Sequence, residues 1–145
     1  MSTLQTLAST FAVYKAARRL ELLEVHCRVR LTGRPYLLGE RPLLALCLSE
    51  RGHETAALVE WDESIWWAER FGHWSLLASC LGLMAPYFPR EALSILDGLK
   101  GTFPPSARRY WRSRLLAANR RHAEARASLP TVIRTTDRQR DRLLV

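Results

Sequence analysis

Four histidines and three cysteines are the side chains of this 145-residue chain best suited to hold a metal or act as nucleophile and base. Their spacing does not support either chemistry. His26, His53, His73 and His122 are far apart, and no pair has the i, i+4 spacing that puts two imidazoles on one helical face. His53 and His122 are expected in turns between helices, and His26 points away from its neighbour Cys27. Cys27, Cys47 and Cys80 form an odd set without CxxC spacing, which argues against a disulfide framework and a zinc site. Each lies in an apolar helical context, where a thiol behaves as a small hydrophobe. The chain also lacks a glycine-rich phosphate loop, a GxSxG elbow and an HExxH pair. The expectation is a protein that is not an enzyme, with no catalytic residues, no metal and no cofactor.

Binding chemistry is better represented. In the segment Glu54–Arg70, Ala57, Trp61, Ile65 and Ala68 share one helical face and should be core. Val59 and Trp66 fall nearly opposite, and Trp67 and Phe71 point in a third direction. Such a helix is either buried from several sides, or it offers Trp66 and Trp67 to a partner, since Trp is enriched at interface hot spots. The acidic residues Glu60, Asp62, Glu63 and Glu69 are read as a solvated face.

Charge marks a second candidate. The net charge is +8, with twenty Arg against two Lys, and all of the excess lies after residue 100. The run from Arg108 to Arg114 interleaves Arg with Tyr110 and Trp111. Arg108, Arg109 and Arg112 can share an exposed sector while Trp111 and Leu115 face inward. This combination suits an acidic helix, and it also suits phosphates and stacked bases. The alternative is a basic face that meets only solvent.

These residues need helices to position them. Leu and Ala dominate, Val and Ile are sparse, and no stretch alternates with a β period, so the chain is read as all-α. Residues 3–31 form one long helix or two short ones, stopped by Gly33 and Pro35. Further helices are expected over about 42–50, 54–70, 74–85, 90–99, 106–119 and 122–129. They are bounded by Gly52, Gly72, Pro86, Pro89, Gly101, Pro104, Pro105 and Pro130. The remainder forms a short eighth helix with Ile133, Arg140, Leu143 and Leu144, or frays. The segment Phe71–Pro89 has no formal charge, but its polar residues and prolines favour a buried helix with Cys80 and Leu83 inside over a membrane span. The first positive charge, Lys15, follows the mildly apolar Leu4–Tyr14 stretch instead of preceding it, which does not fit a signal peptide.

The helices repeat. Leu44-Ala45-x-Cys47-Leu48 recurs thirty-three residues later as Leu77-Ala78-x-Cys80-Leu81, and Glu91-Ala92 recurs as Glu124-Ala125. Over residues 38–71 the pattern resembles the tetratricopeptide family. Leu44, Ala45 and Leu48 match its large–small–large trio, Gly52 its turn, and Ala57 and Trp61 its second helix. Cys80, Leu83, Ala92, Leu96, Leu99 and Pro104 continue it over 73–106, where Ser79 departs from the expected leucine. In a third unit Trp111 follows Pro105 by the family's spacing, but Arg114 and Leu115 depart from the trio.

The resemblance implies a right-handed stack of antiparallel helix hairpins, an α-solenoid of about three repeats plus capping helices. Residues 1–35 would be an N-terminal capping helix, 38–129 the repeats and 130–145 a basic tail. It implies a cytoplasmic adaptor or chaperone that holds a helical or acidic segment of another protein in a groove. Size and helix number are similar to those of small bacterial type III secretion chaperones. A basic nucleic-acid-binding module, or the cytosolic repeat segment of a larger membrane protein, are the alternatives. No oligomeric state follows.

Overall fold

The structure, a computed structural model, describes residues 3–34, 39–99 and 103–127. The described residues form seven α-helices and no strand: α1 (Thr3–Ala16), α2 (Leu20–Gly33), α3 (Glu40–Glu50), α4 (Glu54–Arg70), α5 (Trp74–Met84), α6 (Pro89–Gly98) and α7 (Pro105–Ala127). The protein is all-α.

The turns on either side of α4 are built alike. Gly52 and Gly72 take φ of +79° and +63°, a left-handed conformation that costs an L side chain about 1–2 kcal/mol. After α3, the His53 N–H donates to Leu48 O at 2.9 Å and the Gly52 N–H to Ser49 O at 3.2 Å. After α4, His73 and Gly72 repeat both bonds, to Ala68 O at 2.8 Å and Glu69 O at 3.1 Å. These are paired Schellman closures, which satisfy the last carbonyls of each helix. The following helices start at once, because the carbonyls of His53 and His73 accept from Ala57 and Leu77. The imidazole Nδ1 of His73 also accepts from the Leu76 N–H at 3.2 Å, capping α5.

Sequential helices pack on one another from α2 through α7, most extensively α3 on α4. The small residues Ala45, Cys47, Ala57, Cys80 and Ala92 are fully buried and allow the helices to approach closely. Trp61 is the largest fully buried side chain. Its indole N–H donates to Ser49 Oγ at 3.0 Å, and the Ser49 hydroxyl donates to Ala45 O at 2.8 Å. A partly buried Arg41–Glu60 pair at 2.7 Å also ties α3 to α4.

Helix α1 departs from the sequential pattern. It packs across α5 and α3, burying Leu7 and Phe11 with Tyr14 beside them. Glu50 anchors its end, pairing with Lys15 at 2.9 Å and accepting a hydrogen bond from the Tyr87 hydroxyl.

Of the two outcomes open for residues 3–31, the structure has the second, two short helices, broken at Ala17–Arg19, where Arg18 takes φ +56°. Other expectations need correction. The helices expected over 106–119 and 122–129 are one helix as far as Ala127. Residues 120–123 contain no glycine or proline to stop it, so His122 lies within a helix and not in a turn. Leu83 is only half-buried, whereas Cys80 is fully buried. No described helix is long and apolar enough to cross a membrane. The expected eighth helix, Leu129 and the 130–145 tail lie outside the described residues.

Candidate partner-binding surfaces

The inward face of α4 is filled as its periodicity predicts, with Ala57, Trp61, Ser64, Ile65 and Ala68 all buried. The outward face does not disappear under a neighbour. Val59 and Trp66 are exposed, Trp66 by 51%, and Phe71 just beyond the helix by 56%. Trp67 is half-buried between them. The indole of Trp66 meets Trp67 edge to face at 4.8 Å, and Trp67 stacks on Phe71 at 5.7 Å with 16° between planes. The Arg70 guanidinium lies 5.3 Å from the Trp66 ring centre, a cation–π contact. Three rings and a cation thus form an ordered corner at the C-terminal end of α4. Trp66 and Trp67 were identifiable from their type and direction. Phe71 completes the set, and its signal in the sequence is the i, i+4 step from Trp67.

The basic candidate divides. Arg108 reaches back to the end of α6 and donates to Leu96 O at 2.9 Å and Leu99 O at 3.0 Å, with its guanidinium 5.9 Å from the Phe103 ring centre. It therefore closes the C-terminus of α6, where a cation also complements the helix dipole. Arg112 of α7 pairs with Asp97 of α6 at 3.0 Å. Arg109 is exposed. Arg114, outside the original set, donates to the Tyr110 hydroxyl at 3.0 Å and lies 5.1 Å from the Trp111 ring centre. Beside it, between the end of α5 and α7, is a cleft of ≈390 Å³. Its floor includes Gly82 and Leu115, and its rim carries Arg114, Arg121 and His122. The ring of Trp111 approaches Gly82 so closely that a Cβ there would sit 2.9 Å from it.

No family model, no curated protein and no solved structure matches this chain.

The three thiols are not activated as nucleophiles. Burial pushes the thiol of Cys27 up to about 11 and those of Cys47 and Cys80 up to about 12, so all three stay protonated at neutral pH. Among the described residues, no group of three or more His, Cys, Asp or Glu side chains is placed to hold a metal ion.

Proposed function

We propose that the protein is a helical-repeat scaffold that binds another protein, with Trp66, Trp67 and Phe71 as the principal contact. The observation that carries this is the exposure of two large rings held in fixed positions by a third. Such side chains bring large contact area and lose little conformational freedom on binding. The partner surface is apolar at its centre, with an acidic group facing Arg70.

The repeat reading draws support from the matched turns and from the burial of the small positions. Helix α1 refines it. In a tetratricopeptide-like stack, α3 and α5 would line the groove, and α1 lies across both. Its Leu7, Phe11 and Tyr14, at i, i+4 and i+7, are the anchors of a helix seated in a groove. With that face occupied by the chain's own helix, the partner of this cytoplasmic adaptor or chaperone is engaged at the α4 corner. Of the three cations Arg108, Arg109 and Arg112, on which the basic reading for nucleic acid or an acidic segment rests, Arg108 and Arg112 have intramolecular partners, and Arg109 is exposed.

The test is affinity recovery from the native host with the full chain and with Trp66→Ala/Phe71→Ala. A stoichiometric protein partner that the double variant loses is the expected result. Recovery of the same partner by the double variant refutes the corner. Recovery abolished by nuclease or by Arg109→Glu favours the basic surface instead.

A further inference from the structure

Helix α2 packs mainly on α3, with a smaller contact to α1. Its inward side chains Leu23, Cys27 and Leu31 are buried. Leu22, Val25 and Val29 stand on the opposite side and are 39%, 53% and 69% exposed. With 100° between successive residues, these three fall in a sector about 60° wide, pointing directly away from the core. At the end of a helical stack the outer face is expected to be polar, because nothing further covers it. An apolar stripe there, two-thirds of it valine with poorer helix propensity than the Glu or Lys an exposed position usually carries, indicates a surface that becomes buried.

The charges beside the stripe specify what buries it. Glu21 and Arg28 lie on the same flank, two helical turns apart. The Glu21 carboxylate is largely exposed, with only a 3.5 Å contact to Arg51. Arg28 is half-exposed and pairs with Glu24 of its own helix at 3.1 Å. If a second α2 lies antiparallel along the stripe, a two-fold axis near Val25 places Leu22 across from Val29 of the second copy. The same axis places Glu21 across from Arg28 of the second copy and Arg28 across from its Glu21. The two pairings place the axis one residue apart, so their registers differ by two residues, about 3 Å of rise, which the long Glu21 and Arg28 side chains can span. In a parallel arrangement the two-fold axis runs along the helices and carries the Glu21–Arg28 flanks of the two copies to opposite sides of the interface, so these residues do not meet. The surface is thus complementary to itself in one orientation, as an isologous interface requires.

We propose that the outer face of α2, formed by Leu22, Val25 and Val29 with Glu21 and Arg28 beside them, is the antiparallel self-association surface of this protein. It is separate from the α4 corner and does not depend on it. The helix is fourteen residues long, so the contact lies at the small end of specific interfaces and the dimer is concentration-dependent.

Sedimentation equilibrium of the full chain from about 1 µM to about 1 mM should show the mass rising from one chain to two. Val25→Glu places a charge at an already exposed helical position, so the fold is kept and the chain stays monomeric. Glu21→Arg or Arg28→Glu acts on both symmetry-related pairs and should raise the dissociation constant about tenfold or more, and the double reversal should restore it. Val25→Cys should give a disulfide-linked dimer under mild oxidation, because the three native thiols are buried. A wild-type chain that remains monomeric throughout, or a dimer that Val25→Glu leaves intact, overturns the proposal. So does failure of the double reversal to restore association in a variant whose circular dichroism matches the wild type. A dimer that Val25→Cys cannot trap overturns the antiparallel arrangement.

Discussion

Replacing Trp61 tests the packing on which every surface described above depends. The side chain is fully buried between α3 and α4, so Trp61→Ala removes a large ring from a site with little room to collapse. Truncations of this kind cost about 3–5 kcal/mol. In a domain of this size that corresponds to a fall in melting temperature on the order of 10 °C. The polar end of the ring can be examined separately. Ser49→Ala leaves the indole N–H buried without its acceptor and should cost about 1–3 kcal/mol. Trp61→Phe keeps most of the ring but gives up the donor, leaving Ser49 still bonded to Ala45 O. If the contact is direct, the Trp61→Phe/Ser49→Ala double variant loses less than the sum of the singles, by about 1 kcal/mol. The assay is denaturant unfolding followed by circular dichroism at the helical band, since five Trp side chains confuse fluorescence. A Trp61→Ala cost below about 1 kcal/mol would refute the packing of α4 on α3, and strict additivity in the cycle would refute the hydrogen bond.

Glu50 is held below the ordinary carboxylate range, first by the hydrogen bond from Tyr87 and then by Lys15. A lowered folded value means stability that is present above the unfolded value and lost as pH falls through the folded one. Glu50→Gln should therefore flatten the decline in melting temperature between about pH 6 and about pH 3 relative to wild type. Arg108→Ala should destabilise by about 1.5–3 kcal/mol because the carbonyls of Leu96 and Leu99, at and just beyond the end of α6, lose a charged donor. Arg109→Ala should fall within about 0.5 kcal/mol of wild type in the same denaturant titration. A disulfide exchange reagent should leave Cys27, Cys47 and Cys80 unmodified in the native protein and titrate all three once denaturant is added.

Much of the helical layout was legible because it depends on local chemistry. Gly52 and Gly72 stop α3 and α4 through a backbone conformation that glycine adopts freely, and Pro89 and Pro105 open α6 and α7. The buried face of α4 follows from apolar spacing alone. That residues 3–31 could be two helices was legible, but the place of the break at Ala17–Arg19 was not, since Ala and Arg are good helix formers and no glycine or proline announces the turn. The continuity of α7 was missed in the opposite way: a turn was expected between residues 119 and 122, where Arg120 and Arg121 are good helix formers and continue the helix. At the candidate site, the exposure of Trp66 was one of two outcomes consistent with its direction, and only the neighbouring helices decide between them. Arg108 shows the same limit. Its partners are carbonyl oxygens at the end of α6, which every residue type carries, so no residue pattern reveals the bond.

The position of α1 has a consequence for the order in which the chain can fold. Helix α1 is synthesised before the α5 surface it packs on, which begins only at Trp74. At about 5–20 residues per second, translation needs on the order of several seconds to supply it. The contacts of α3 with α4 and of α4 with α5 join neighbouring segments and form quickly, whereas docking of α1 must close a loop spanning more than half of the described chain. During synthesis the nascent protein therefore presents α1 with part of its apolar face not yet covered, and the contact with α5 forms only once Trp74–Met84 has emerged.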